Sequence, residues 1–424
     1  MNPIAELAGK TLVFGACVRP LVFSASRFSL DVAAADLFAD WDTSQKCNAI
    51  RVAKYPAEFQ HVVEKVRPCT AIYTGGLENY PNIIENIESM TNLAGNPARV
   101  LRSLMDPFAM SDYLRRCGFT VPALERTNPL SPADTSQKSI DPSLLATPSP
   151  RKASLFGKRW LRKKFRSCGG LDIQFWPNPN RLSDAAVAPE NQPDHYFQEY
   201  WPGESISAMF VATAGPHRDN PAVFLGATRQ LIGEADFCSS GFQYTGSIVC
   251  SLTPEEQRRA TEMANRLVDQ YHLKGIFNLD LVRTDSDLVF IEINPRIPSS
   301  AEVLERGYQF NALTLQIQSC RIAEDLQPIE WKQQSNQPPM IYGKAIQYAP
   351  ESMTATQDFC QLVKSTMDDD GFASYADIPF PKTRIDSGQP VFTVFAKGKN
   401  EQEVRSLMRK KAALGLQCLG ASVS

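Results

Sequence analysis

An α/β fold of about three domains is what this sequence predicts, and three features predict it. Residues 11–16 (TLVFGA) and 68–73 (PCTAIY) are short apolar runs, the mark of parallel strands covered on both faces. Residues 275–294 alternate apolar and polar side chains, the period of strands with one polar face. Between these regions, residues 127–150 are rich in Pro, Ser and Thr with few aromatics, so they cannot bury enough surface to order themselves.

Composition sets the bounds. The chain has 424 residues, 43% of them hydrophobic and 21% charged, enough for a core in each domain. A net charge of −2 projects no field toward nucleic acid or an anionic membrane. Ten cysteines lie scattered without a Cys-x-x-Cys pair, and four histidines form neither HExxH nor zinc-finger spacing. Free thiols in a reducing cytosol account for that usage. No cleavable leader and no apolar run approaching ~20 residues is present, so a cytoplasmic protein without a membrane span is expected.

Taken in order, residues 11–16 read as a strand, 19–30 as a helix, 33–39 as a second strand and 68–73 as a third. The loop Thr74-Gly75-Gly76-Leu77-Glu78-Asn79 follows, at the carboxyl end of the sheet where open α/β sheets bind ligands. Residues 1–125 are assigned to this Rossmann-like three-layer unit. A dinucleotide fingerprint is absent, because GACVRP holds one glycine. Arg19, Ser24, Arg27, Glu78 and Asn79 are the polar groups near strand ends; each is also explicable as a cap or a solvated surface residue. Asp106-Pro107 opens a helix to residue 117, and residues 118–122 end the unit. Residues 126–155 are the flexible connector, or an insertion looping from the domain junction.

Residues 160–170, WLRKKFRSCGG, form a basic strand running into a small loop closed by glycines. A lysine that neutralises charge, followed by exposed backbone N–H groups, is what a phosphate-covering flap needs; a solvated basic strand is the plainer reading. Residues 196–210 form a strand that breaks at Pro202-Gly203 and resumes. Residues 225–233 and 242–249 supply further strands, the second facing an acceptor pocket. Thr253, Pro254 and Glu256 make an N-cap, a first-turn proline and a capping box for a helix to about His272.

That helix delivers the chain to the hairpin of residues 275–294. With a three-residue loop, residues 284 and 288 pair, which places Asp280 across from Glu292; one more loop residue breaks the alignment. Carboxylate and amide oxygens suit a hard ion, and magnesium takes only one or two protein carboxylates. Asp280, Glu292 and Asn294 fit that need, and Arg296 can clamp a phosphoryl group with its planar fork. Beyond it, Ser299 and Glu302 read as a capping box more readily than as catalytic groups.

The phrase GIFNLDLVRTDSDLVFIEINPR resembles the metal-binding segment of the ATP-grasp ligases, which ends in Glu-x-Asn-Pro-Arg. The resemblance implies an ATP-grasp fold: an N-terminal Rossmann-like domain, an ATP-grasp domain of two lobes over residues 156–325, and a small β-rich C-terminal appendage over residues 326–424. It makes Lys163 the ATP lysine, although Lys164 stands where proline is usual and leaves the choice between them open. Gly169 and Gly170 become the flap. Gln198 faces the adenine amino group, the backbone of Glu199 and Trp201 brackets the ring, and Glu204 or Ser205 reaches the ribose. Asp280, Glu292 and Asn294 become ligands of magnesium, with manganese as a substitute, while Lys163 and Arg296 stabilise charge on the transferred group. Arg19, Ser24, Glu78 and Asn79 face the acceptor.

The implied reaction is ATP-dependent joining of a small-molecule carboxylate to an amine through an acyl phosphate, without nucleic acid or membrane; a homodimer is compatible with it. The phrases YTGGLEN and Asn-Pro-Arg-x-x-x-Ser-x-Glu are similar to ATP-grasp proteins of one-carbon carrier (methanofuran and tetrahydromethanopterin) biosynthesis, including tyramine–glutamate ligases, which makes glutamate a candidate substrate. An ATP-grasp carboxylase using bicarbonate and a nucleotide-binding regulator without turnover are the alternatives.

Overall fold

The computed structural model describes residues 11–129, 158–177, 194–212, 221–320, 340–365 and 373–420. The connector expected over residues 126–155 lies, from residue 130 onward, outside the described residues.

The first unit is built on a parallel sheet ordered Asn48–Arg51, Val32–Asp36, Thr11–Phe14, Thr70–Tyr73 and Asn92–Leu93. Its central strands are apolar because helices cover both faces: Leu12, Val13 and Phe14 are fully buried. The two outer strands escaped the sequence reading because NAIR and NL lack an apolar run. The second strand ends at Asp36, three residues before the expected Ala39, because the Asp36 carboxylate accepts the N–H groups of Phe38 and Ala39 and turns the chain.

Leu124–Glu125, His195–Glu199, Trp160–Lys164 and Gln174–Trp176 form a small antiparallel sheet. It faces a larger antiparallel sheet of eight strands: Leu288–Asn294, Gly275–Arg283, Glu204–Ala212, Ala222–Ile232, Tyr244–Cys250, Ile341–Tyr348, Pro390–Gly398 and Tyr375–Ala376. The helix Pro254–Tyr271 covers one face of this sheet, burying Ala260, Met263, Ala264 and Leu267 against Phe277 and Leu279. Its capping box is present: Thr253 Oγ1 accepts from the Glu256 N–H at 3.2 Å and the Glu256 carboxylate from the Thr253 N–H at 2.7 Å.

The C-terminal region is rich in strands: Met353–Thr354 and Arg384–Ile385 pair with each other, and the longer strands join the large sheet. Ile341–Tyr348 and Pro390–Gly398 extend the eight-stranded sheet, and an 18-residue helix, Glu401–Cys418, packs against them with Asn400 as its cap. Its apolar positions are spread thinly among charges, and its burial comes from the sheet beneath. All ten cysteines are free, and no helix among the described residues is long and apolar enough to cross a membrane.

Candidate active site

A cavity of about 900 Å³ opens between the two antiparallel sheets and meets the carboxyl ends of the parallel strands. Lys163, Gly169, Gly170, Gln198, Glu199, Trp201, Ser205, Asp280, Glu292, Asn294 and Arg296 all line it. That volume lies at the upper end of small-molecule sites, roughly 300–1,000 Å³.

The hairpin reaches its working alignment by a route that its loop alone forbids. Arg283 pairs with Leu288 and Leu281 with Phe290, so the loop holds residues 284–287, one more than the expected alignment allows. The register then slips between Asp280 and Leu281, Ile291 is the extra residue, and Asp280 comes to lie opposite Glu292. Leu288 and Phe290 face the core beside Leu279 and Leu281. Unbroken alternation would send Glu292 and Asn294 into that same core. The bulge reverses the alternation: Ile293 packs on the core side, and both polar residues face the cavity.

Asp280 sits at the centre of an amide cage. It accepts from Asn278 Nδ2 at 2.7 Å, Gln230 Nε2 at 3.0 Å and Asn294 Nδ2 at 2.9 Å. Burial, reinforced by the facing Glu292 carboxylate, pushes its pKa up to about 7. Lys163 donates to Glu292 at 3.2 Å. Burial opposes the charge on Lys163, but Tyr196 and Glu292 outweigh it and hold the ammonium above its ordinary pKa. Arg296 donates to Glu78 at 3.1 Å and to Asn294 Oδ1 at 3.0 Å, while a Cβ at Gly75 would stand 3.2 Å from its guanidinium carbon. The loop glycine therefore lets the N-terminal sheet close directly onto Arg296.

Alternation along the basic strand separates the two candidate lysines. Lys163 is 3% exposed and points into the cavity; Lys164 lies outside and pairs with Asp172 at 2.7 Å.

The donors present fit a divalent cation and a nucleotide. Among the described residues no group of three His, Cys, Asp or Glu side chains is placed to hold a metal ion, so the set here is two carboxylates and an amide, and magnesium takes one or two protein carboxylates. The raised pKa of Asp280 marks a carboxylate pair that a cation would keep ionised. Two buried polar atoms on the cavity wall, Trp201 Nε1 and Asn278 Oδ1, have no partner among the described residues and are available to a bound molecule. At the far end, Phe175, Tyr200 and Phe242 cluster, and Arg159 lies 4.2 Å over the Phe175 ring, an arrangement suited to a planar base.

The glycine loop is held closed over this end. Tyr244 N–H donates to Gly169 O at 3.0 Å, and Asn79 Nδ2 donates to Ser167 O at 3.2 Å. Gly170 has φ +76°, and a Cβ there would stand 1.8 Å from Phe242 O. Gly170→Ala should therefore displace the flap and raise the KM for ATP about tenfold or more, read by initial rates against ATP concentration; an unchanged KM would remove the loop from nucleotide binding.

Several sequence expectations are corrected. Glu204 does not line the cavity: it pairs with Arg229 and with Arg283, at 2.8 Å for the second, on the opposite face from Ser205 and Ser207. Arg19 and Ser24 do not line it either. Arg19 is buried between Glu302 and Asp377, and Ser24 donates to Glu305 at 2.5 Å. The nearby Arg27 pairs with Glu305. These groups fasten the first helix to the one starting at Ala301. Glu302 forms no capping box; Ser300 is the N-cap without a side-chain bond, and Glu302 pairs with Arg19 and, at 3.6 Å, with Lys344. Glu78 and Asn79 adjoin the site, lining a 130 Å³ side cavity with Lys163 and Glu292. Gln230 and Ser207 were missed because each reaches the site from a neighbouring strand, a relation that sequence separation conceals, whereas Asn278, two residues before Asp280 on the same strand, shares its face by simple alternation.

Residues 112–300 match the family model described as the ATP-grasp domain. The chain is 21% identical over 349 residues to an uncharacterised protein of Methanocaldococcus jannaschii, spanning 80% of this chain and 72% of that one. Its structure is similar to an L-amino acid ligase from Bacillus licheniformis (TM-score 0.63, 13% identity, 95% and 96% of the two chains covered). It is also similar to the biotin carboxylase domain of the Hydrogenobacter thermophilus 2-oxoglutarate carboxylase, solved with MgADP and bicarbonate (TM-score 0.65, 14% identity, 95% and 89% covered). Sequence match, sheet topology and structural likeness agree that residues 112–300 are an ATP-grasp domain and that the chain as a whole has the ATP-grasp fold.

Proposed function

We propose that this chain is a cytoplasmic ATP-dependent carboxylate–amine ligase. In the overall reaction a carboxylate oxygen takes the γ-phosphoryl group as ADP leaves; the amine nitrogen then attacks the acyl carbon, loses a proton and expels phosphate. The observation that supports this most is the convergence of Lys163, the Asp280–Glu292–Asn294 set and Arg296 in one cavity beneath the glycine loop.

The protein's part is positioning and charge neutralisation, and no side-chain nucleophile is required. Gln198, Glu199 and Trp201 hold the base at the hinge, with Ser205 on the ribose side. Lys163 exchanges its contact with Glu292 for phosphate oxygens, and Arg296 stabilises charge on the transferred group. Asp280, Glu292 and Asn294 would hold magnesium, which supplies neutralisation of phosphate charge when bound. Glu78 orients Arg296 toward the acceptor.

Lys163→Ala should lower ATP-dependent turnover about 100-fold or more, whereas Lys164→Ala should stay within about twofold. Equal losses in the two variants would contradict the assignment.

The reading is tested by an ADP-release screen over amino acids and amines with Mg·ATP. Glutamate is the candidate that the similarity to one-carbon carrier ligases nominates. ADP release that requires bicarbonate would favour a carboxylase, and tight ATP binding without substrate-dependent release would favour a regulator.

A further inference from the structure

Beyond Arg296 the cavity changes character. Arg296 abuts Gly75, the Ala16 N–H donates to Gly75 O at 3.3 Å, and from there the wall continues through Cys17, Pro20 and Leu21. Ile297, Pro298, Ser299 and Ser300 close the other side. Among the described residues, the charged ones that line the cavity lie elsewhere: Arg159 and Glu199 toward the hinge, and Lys163, Asp280, Glu292 and Arg296 at its middle.

The cations behind this compartment are spoken for. Arg19 lies between Glu302 and Asp377, and Lys344 donates to Ser299 Oγ at 2.8 Å beside Glu302. Behind Cys17 lie Asp377, Asp36 and Asp40; Asp377 carries the charge that pairs with Arg19, while burial pushes Asp40 up to about 9 and leaves it neutral. Burial, with Asp377 and Asp36, accordingly holds the Cys17 thiol well above its ordinary pKa, so it is a small neutral wall group. A phosphate or a second carboxylate placed here would be desolvated without a cation to pair with.

Resting on the ligase reading, we infer that one of the two molecules joined carries an uncharged apolar group that fills this compartment, with its reacting end at Arg296, and that phosphorylated or side-chain-acidic substrates are rejected there. Glutamate fits such a site only at the other position.

The test uses the full chain, loaded with magnesium and a non-hydrolysable ATP analogue for thermal shift, and with Mg·ATP for ADP release. Probes are matched sets: phenylalanine, leucine and phenethylamine against glutamate, O-phosphoserine and phosphoethanolamine. Apolar probes should raise Tm and exceed the anionic ones about tenfold or more in response. Cys17→Met, which pushes a longer side chain into the compartment, should weaken the response to the apolar probes about tenfold, a far larger effect than on the KM for ATP. A preference for the anionic probes, no discrimination, or no Tm shift with any probe overturns the inference. Apolar-selective Tm shifts without ADP release from any pair would uphold the compartment and remove the ligase reading instead.

Discussion

Glu292→Gln should reduce ADP release by about 100- to 1,000-fold at saturating magnesium, with a far smaller change in the affinity for ATP. The substitution keeps the shape of the side chain and removes one of two carboxylates facing a common point, opposite Asp280 in the ladder. Stability should change by only about 1 kcal/mol or less, because Glu292 is 48% exposed and its 3.2 Å pair with Lys163 is screened on one side by solvent. Initial rates across a magnesium titration, with Tm measured in parallel, separate the two effects. A variant that keeps near-normal turnover would sink the assignment of this hairpin as the metal end of the site.

Arg19→Met should cost about 3–5 kcal/mol of unfolding free energy at neutral pH, measured by urea denaturation. Arg19 is 1% exposed and pairs with two carboxylates, the buried Glu302 and the partly buried Asp377, which the substitution would leave short of a cation. Burial works against ionisation of Asp377, yet Arg19 and the Thr393 hydroxyl hold its pKa down at about 2. A carboxyl depressed below its unfolded value stabilises the fold above that value, so the wild-type contribution should be lost as pH falls from about 4 toward 2. In the variant both carboxylates lose their main cation and their pKa values rise. The variant should therefore gain stability on acidification from pH 7 to 5, and the gap to wild type should narrow. Parallel pH curves would refute the role. Because Arg19 does not line the cavity, folded variant protein should keep its KM for the carboxylate and amine substrates within a fewfold, an outcome that an acceptor-binding role would not give.

Much of the site was legible before any coordinates. Asp280, Glu292, Asn294 and Arg296 stand in one short stretch whose residue types mark them, although only the bulge at Ile291, which the alternation does not foretell, turns Glu292 and Asn294 to the cavity. Lys163 followed by Gly169 and Gly170 is likewise a local pattern. The residues that sequence reasoning misplaced are those whose surroundings come from far along the chain. Arg19 and Ser24 sit near a strand end, as ligand-binding groups do, but the helix beginning at Ala301 reaches them first through Glu302 and Glu305. Glu204 is one position from Ser205 in sequence and on the opposite face of the sheet in space.

The sequence by itself determined the chemistry available: two carboxylates and an amide for a hard cation, a buried-strand lysine, a glycine flap, and an N-terminal sheet of apolar strands. Those are short-range properties, set by residue type and by the period of the backbone. Tertiary structure alone decided which of those groups meet. It selected Lys163 over Lys164, closed Gly75 onto Arg296, and spent Arg19 on holding the fold together. It also overcame a loop one residue too long, because a single bulge at Ile291 buries Ile293 and returns Glu292 to the cavity. The core on the other face of that strand accepts leucine, phenylalanine and isoleucine but not a carboxylate, and this burial requirement sets the register where local pairing would not.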